Sequence, residues 1–380
     1  MLGVNFFGDL TGNGSLSELA RTTLLTLQRR GLPVTYTELL YPAGLYHTEP
    51  MPDPLLANLP IGSHYPVNVV CYNLHMFETL SPERLRELMQ GKYTITNWVW
   101  EMPEVPTAWF PLFERVHEIW SPSTFVQRIF AAVTDRPVLA VPHPIEVPLT
   151  PNITRRDFGI PENRMIFLCI FSAASGDGRK NPWGVIEAFK RAFGSTQAQD
   201  APLLIFKTQH SRDYPELMAA LQAKVAEVGG LLIPNTYNRQ QMNNLMSVID
   251  CFVSLHRSEG FGLGLAEAMC VGKPVIATAY SGNVDFMDTE NGYLVPYKLR
   301  NVLPEDHRYR PELLDYYTVE MTWAEPDIEA AAHWLRHVYE NPAEAKAKGI
   351  KAAERIHRDF SPAAVGQLMY ERIAAQSSLS

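Results

Sequence analysis

The sequence predicts an α/β protein in which one plan is built twice, and three observations predict it. Short, continuously apolar runs alternate with longer amphipathic ones, the pattern of parallel strands buried on both faces and joined by helical crossovers. The chain has 380 residues, enough for about two to three domains. Between residues 142 and 151, Pro142-His143-Pro144 and Val147-Pro148-Leu149-Thr150-Pro151 interrupt the alternation with a stiff, proline-rich connector. The expected division is therefore 1–150 and 151–345, with closing helices over 346–380.

The first series opens with a buried strand over Leu2–Phe7 and a polar, glycine-containing loop. A helix follows from about Ser17 to Arg30: Leu19, Leu24, Leu25 and Leu27 share a face, Gly31 stops it and Pro33 lies beyond. Further strands are expected over Pro33–Leu39, Val67–Tyr72, Tyr93–Val99, Glu114–Ile119 and Val138–Val141, with a helix over Pro82–Gln90. The second series reads strand Met165–Phe171, helix Pro182–Phe193 with Asn181 as its N-cap, strand Leu203–Lys207, helix Tyr214–Val228 and strand Leu231–Ile233. Strands Val248–Leu255 and Val275–Ala279 flank another helix, and Asp327–Tyr339 and Pro342–Phe360 are helical. Two such units joined by a stiff segment imply a cleft between two parallel-sheet domains.

Charge narrows the function. Lys and Arg number 33 against 41 Asp and Glu, a net −8. Residues 1–150 hold 9 basic and 14 acidic side chains and the remainder 24 and 27, so neither part is basic and nucleic acid is not the expected partner. Without a basic amphipathic helix, firm contact with a membrane is not expected either. An apolar content of 46% with 19% charge is that of a globular enzyme rather than a disordered chain. Cys71, Cys169, Cys251 and Cys270 lack C-x-x-C spacing and sit in apolar runs, as reduced core thiols of a cytoplasmic protein do. The N-terminus has no basic segment and meets Asp9 early, so no signal peptide is expected. No stretch approaches the ~20 apolar residues of a membrane span.

The segment richest in chemistry is Ser254-Leu-His-Arg-Ser-Glu259-Gly-Phe-Gly-Leu-Gly-Leu-Ala-Glu267. A strand ends near Leu255, glycines recur at 260, 262 and 264, and a helix runs on to Gly272 ahead of Pro274. Glycines at a strand-to-helix turn let a ligand approach the backbone, and the unpaired N–H groups of the helix N-terminus suit a phosphate or sugar hydroxyls. Glu259 and Glu267 can accept hydrogen bonds from the hydroxyls of a sugar and of a ribose. The alternative is a helix-dipole role for Glu267 and a solvated loop position for Glu259. Arg179 and Lys180 are either an anion-neutralising pair or a solvated surface pair. Lys207 is either a phosphate contact or an edge lysine with its ammonium in water.

The carboxylates of E-G-F-G-L-G-L-A-E, followed by A-M-x-x-G-K-P-V-I-A-T and S-G-N, resemble the signature of the family 4 retaining glycosyltransferases, enzymes of the two-domain GT-B fold. Arg179-Lys180-Asn181-Pro182 is similar to the R-K-N-P stretch that opens the first helix of the C-terminal domain in a bacterial branch of that family. Lys207, Trp323-Ala-Glu-Pro-Asp327 and, more weakly, Trp98-x-Trp100-Glu101 and Glu118-Ile-Trp-x-Pro-Ser123 extend the resemblance over residues 90–330.

The resemblance implies two Rossmann-like domains facing a central cleft, with a nucleotide-sugar donor mainly on the C-terminal domain. A saccharide or glycoconjugate acceptor would sit mainly on the N-terminal domain, against which a final helix packs. By the same resemblance, Glu259 holds the donor sugar's hydroxyls and Glu267 the ribose. Backbone amides around Phe261, Gly262, Leu263 and Gly264 meet sugar and phosphates, with Lys207 as a further phosphate contact. Arg179 or Lys180 neutralises the leaving pyrophosphate. Charge grows on phosphate oxygens as a glycosyl phosphate bond breaks, so preorganised cations act chiefly on the transition state. In that family retention is explained by front-face attack, the departing phosphate oxygen taking the acceptor's proton. No D-x-D pair occurs, and His and Cys spacing offers no zinc site, so the expected reaction uses neither metal nor cofactor.

The first unit carries a rival signal. Gly8-Asp-Leu-Thr-Gly12-Asn-Gly14-Ser-Leu-Ser17 follows the first strand and Glu38 ends the second, as in a dinucleotide-binding unit, although the third glycine falls at Ser17. An NAD-dependent oxidoreductase is therefore one alternative, and a non-catalytic nucleotide-sugar-binding subunit another. In the family resembled, Gly12 and Gly14 would instead approach the donor phosphates or the acceptor. Trp98, Trp100, Trp109, Phe110, Phe113 and Trp120 are core residues or acceptor platforms. Asn97, Trp98 and Glu101 occupy the region where the family often presents a polar active-site residue, though its usual histidine is absent. His143 and His256 are either packed or cleft-facing.

Overall fold

The computed structural model describes residues 2–12, 14–39, 59–62, 64–77, 79–195 and 201–377. Asn13 of the glycine loop and residues 378–380 of the polar tail lie outside them. The chain divides into two compact units, Met1–Ile145 with Arg358–Ser380 and Glu146–His357. The first crossing falls inside the proline-rich stretch, and residues 346–357 stay with the second unit. Among the described residues no helix is long and apolar enough to cross a membrane.

The first unit runs β1 (Val4–Gly8), α1 (Ser15–Arg29), β2 (Val34–Glu38), β3 (Val67–Cys71), α2 (Leu74–Phe77), α3 (Pro82–Met89) and β4 (Tyr93–Asn97). It continues with α4 (Phe110–Phe113), β5 (Glu118–Ser121), α5 (Thr124–Ala131) and β6 (Val138–Ala140). The strands form one parallel sheet in the order β2-β1-β3-β4-β5-β6. Every residue of β1 and of β3 is buried, as strands covered on both faces require. The expected strand over Glu114–Ile119 begins later, at Glu118. Phe110–Phe113 makes a helical turn that Glu114 caps, so only the buried run from Glu118 pairs with β4.

In the second unit the order is β7 (Ile166–Ser172), α6 (Asp177–Lys180), α7 (Pro182–Phe193), β8 (Leu203–Gln209), α8 (Pro215–Glu227), β9 (Leu231–Ile233) and α9 (Arg239–Val248). Then come β10 (Cys251–Ser254), α10 (Leu263–Cys270), β11 (Val275–Thr278), β12 (Tyr293–Val295), β13 (Tyr297–Asn301), β14 (Thr322–Pro326), α11 (Ile328–Glu340) and α12 (Pro342–Asp359). Six strands form a parallel sheet, β12-β11-β10-β7-β8-β9, and β13 pairs with β14 antiparallel beside it. The stretch expected as one strand from Val248 is the end of α9 followed by β10, because Asn238 and Gln241 form a capping box that starts a helix at Arg239.

The chain closes with α13 (Pro362–Ser377), which belongs to the first unit. Its Val365, Met369 and Ile373 share the core of Val4, Phe6, Leu24 and Val67. Arg372 donates from Nε to both oxygens of Glu118 at 2.8 Å, and Trp120 Nε1 donates to the same carboxylate at 2.8 Å. Glu118 is wholly buried, so these donors and the Tyr93 hydroxyl at 3.0 Å are what make its charge tolerable there.

Candidate active site

Three segments of the second unit meet at the C-terminal end of β10. The turn between β10 and α10 supplies Glu259 and the glycines; α6 supplies Arg179 and Lys180; residues 281–283 supply a Ser-Gly-Asn brace. Gly262 has φ +94°, a backbone region that favours glycine, and serves as the N-cap of α10. Leu265 N and Ala266 N donate back to Gly262 O at 3.0 and 3.1 Å, so the amides at the very start of the helix are those of Leu263 and Gly264. Below the turn, Ser281 Oγ accepts from the Glu259 amide at 2.8 Å and Gly282 N donates to Glu259 O at 2.9 Å. His256 is wholly buried, with Nε2 3.1 Å from Asn283 Oδ1 and Nδ1 3.1 Å from Ser254 Oγ. Burial lowers the His256 pKa, so this ring is a neutral strut under the turn and faces no ligand.

The R-K-N-P stretch places its cations by a local device. Asn181 adopts φ +50°, ending α6, while its Oδ1 accepts from Gly184 N at 3.1 Å and caps α7. Its Nδ2 donates to Leu255 O at 2.9 Å, tying the junction to the end of β10. Lys180 Nζ is thereby ion-paired with Glu259 Oε1, and Arg179 Nη1 lies 3.5 Å from Oε2 and donates to Ser258 O at 2.9 Å. Burial would raise the Glu259 carboxyl, but the Lys180 and Arg179 cations outweigh it and bring its pKa down to about 2. Glu259 is therefore a fixed anion inside a cationic bracket, and neither cation is a solvated surface group.

Glu267 lies on α10, and Arg239 Nη2 donates to its Oε1 at 2.5 Å. Arg239 was not foreseen; the Asn238-x-x-Gln241 box was the signal for the helix that presents it. Lys207 is wholly buried on β8. Its Nζ donates to Thr208 O and Asn235 O, both at 2.7 Å, and lies 4.7 Å from the centre of the Tyr237 ring. Burial lowers its pKa to about 8. It is thus not an edge lysine reaching into water. Trp323 and Glu325 of the W-A-E-P-D stretch join a second set of charges: Glu325 accepts from Arg257 Nε and from Arg300 Nε, both at 2.7 Å, and Asp327 caps α11.

The first-unit candidates fare differently. Asp9 is buried and its carboxylate accepts from Thr11 N at 2.9 Å, Gly12 N at 3.0 Å and Ser17 Oγ at 2.8 Å. The Gly12 amide is therefore engaged within its own loop. A carboxylate also fills the space before α1 that a dinucleotide's pyrophosphate would need, which counts against the NAD alternative. Trp98 is wholly buried, edge-on to Phe77 and Phe113 with ring centroids 5.3 Å away in each case, so it is core and offers no face to an acceptor. Trp100, Trp109, Trp120 and Phe113 are buried too, whereas Phe110 is exposed. Asn97 is buried with neither amide atom bonded, Glu101 is half-buried, and His143 is buried with its pKa lowered to about 3 by that burial. Among the described residues no cluster of three or more His, Cys, Asp or Glu is placed to hold a metal.

Two parallel six-stranded sheets, each with its own helices, are the GT-B fold. Three solved structures share it across nearly the whole chain. Sucrose-phosphate synthase from Thermosynechococcus elongatus superposes with a TM-score of 0.71 at 14% identity, covering 100% of both chains. The Anabaena protein HepE, solved with UDP and glucose, gives 0.67 at 11% identity, covering 99% of this chain and 100% of its own. A glycosyltransferase from Rickettsia africae gives 0.66 at 14%, covering 98% and 99%. Residues 152–302, which contain Arg179, Lys180, Glu259 and Glu267, match the family of glycosyl transferases group 1. No curated protein sequence matches the chain. The fold and the family match together support a glycosyltransferase.

Proposed function

We propose that the chain is a cytoplasmic, retaining glycosyltransferase that moves a sugar from a nucleotide-sugar donor to a hydroxyl of a saccharide or glycoconjugate, without a metal ion. One observation carries the proposal: a buried, ionised Glu259 bracketed by Lys180 and Arg179 at the glycine turn that opens α10. Such a carboxylate accepts hydrogen bonds from donor-sugar hydroxyls and so fixes the anomeric carbon. In this reading the two cations and the backbone amides at 261–264 would face the pyrophosphate, whose charge grows as the glycosidic bond breaks. Glu267, oriented by Arg239, takes the ribose hydroxyls, and Lys207 adds a buried cation for the nucleotide. No side-chain nucleophile is needed if the leaving phosphate oxygen takes the acceptor proton on the face it departs from.

Because HepE was solved with UDP and glucose, UDP-sugars are the first donors to test. Wild type and Lys180→Ala are incubated with a panel of UDP- and GDP-sugars, and nucleoside diphosphate release is followed with and without simple saccharides. Release by the wild type, lost in Lys180→Ala with the fold intact, is the expected result. Binding of nucleotide-sugars with no turnover on any acceptor would instead make the chain a binding subunit.

A further inference from the structure

The second unit has a groove of about 630 Å³ that none of these roles uses and that shares no lining residue with the 259–267 turn. Its apolar lining is Ile186 on α7 with Ala220 and Ala223 on α8. Trp183 and Tyr309 form one wall, with ring centroids 5.9 Å apart and planes tilted by 38°. Asp177, also on the lining, is 2% exposed. Its Oδ2 accepts from Trp183 Nε1 at 2.8 Å, while its Oδ1 is buried with no bonding partner.

We infer that this groove is a second carbohydrate site, one that takes a neutral oligosaccharide. The size lies within the ~300–1,000 Å³ of ordinary ligand sites. Three cations on the lining, Lys190, Lys224 and Arg308, stand against four carboxylates, and Lys224 is already paired with Glu227 at 2.8 Å. The near balance gives no field to attract a strongly charged ligand. What the groove offers is donors and acceptors in equal measure around an aromatic wall. A sugar chain needs that combination, since each ring has an apolar C–H face and an edge of hydroxyls that both donate and accept.

The position has a further consequence. Asp177 opens the single turn α6 whose last two residues are Arg179 and Lys180. That turn is held from behind, since Arg257 Nη1 donates to Gly178 O at 2.6 Å, and a side chain at Gly178 would collide with the Asp306 carbonyl. A saccharide stacked on Trp183, whose indole N–H donates to Asp177 Oδ2, therefore acts on the same turn as the cations that bracket Glu259. The carbohydrate class is argued from the groove's own chemistry and does not depend on the donor site.

The test is NMR on the intact chain, following the Trp183 indole N–H, assigned with Trp183→Phe. The probes are α(1→4)-linked glucotetraose, β(1→4)-linked glucotetraose and chitotetraose, with no nucleotide present. At least one should shift the resonance saturably. Ala223→Trp, at an exposed groove position, should weaken that binding about tenfold or more and leave UDP affinity unchanged; Tyr309→Ala, a second variant, should weaken it similarly. No shift with any of the three probes, or a shift that both folded variants leave intact, overturns the inference. A failure of the proposed transferase activity would leave this readout untouched, so the two can fail separately.

Discussion

Arg239 Nη2 donates to Glu267 Oε1 at 2.5 Å, joining the first turn of α9 to the helix behind the glycine turn. If Glu267 takes two ribose hydroxyls as proposed, it loses affinity when it can rotate, and the Arg239 guanidinium removes that freedom. Arg239→Ala and Glu267→Ala should each weaken UDP binding by about tenfold or more. The double variant should be little worse than either alone, because both changes break one unit. Calorimetry on the four proteins measures this, and fully additive losses would separate the two residues.

Glu259 and Glu267 should also divide the kinetics between them. Glu259→Gln keeps the size but removes the charge; if that charge fixes the donor sugar as proposed, turnover should fall by about 10²–10³ with UDP affinity little changed. Glu267→Ala should chiefly raise KM for the donor, as loss of uniform binding does. Steady-state assays at saturating acceptor read the split, and the reverse pattern would exchange the assigned roles.

Lys207 gives the pH dependence. Burial lowers its pKa to about 8 in the free protein, so it is charged below that pH and neutral above it. If its charge holds the nucleotide, kcat/KM for the donor falls as pH rises through about 8, and Lys207→Met removes that limb. Stability runs the other way. The unfolded chain keeps the proton up to the ordinary lysine range, so this residue's contribution improves between about pH 8 and pH 10. A pH–rate profile beside thermal melts shows both signs, and a Lys207→Met enzyme that retains the alkaline limb would exclude the assignment.

Chelation supplies another check. If Arg179, Lys180 and the 261–264 amides hold the phosphates as proposed, dialysis into EDTA should leave activity nearly unchanged. Loss of activity that Mg²⁺ or Mn²⁺ restores would show that these cations do not suffice.

For stability the informative pair is Glu118 and Arg372. Arg372→Met strands a wholly buried carboxylate and should cost about 3–5 kcal/mol, whereas adding Glu118→Gln should recover much of it. Urea unfolding of the single and double variants measures the difference, and an unchanged midpoint in Arg372→Met would show that Trp120 and Tyr93 alone hold the charge.

The strands were legible because both of their faces are buried, which leaves runs such as Val67–Cys71, apolar but for Asn68, and Ile166–Ser172, apolar up to Phe171. Helix Pro182–Phe193 was readable to the residue, since Asn181 caps it and Pro182 fits its first position. The antiparallel β13–β14 pair was not, because β13 is largely exposed, with no apolar run to mark it. Within the site, Glu259, Lys180 and Arg179 could be named from the motifs, but their mutual contact depends on the left-handed turn at Asn181. Arg239 escaped notice because its partner comes from another helix, 28 residues along the chain. Trp98 shows the opposite limit: an aromatic cluster in sequence does not say which rings face outward.

The two-part makeup of the first unit bears on how the chain is synthesised. Residues 1–145 leave the ribosome first, but Val365, Met369, Ile373 and Arg372 follow only after 146–357 have been made. At ~5–20 residues per second that interval is roughly 10–40 s. During it the nascent first unit shows bare apolar surface where α13 will lie, and the buried carboxylate of Glu118 waits without its arginine. Within this chain the earlier-made unit is completed only after the later one, and a chaperone that shields exposed apolar surface would find its substrate in that interval.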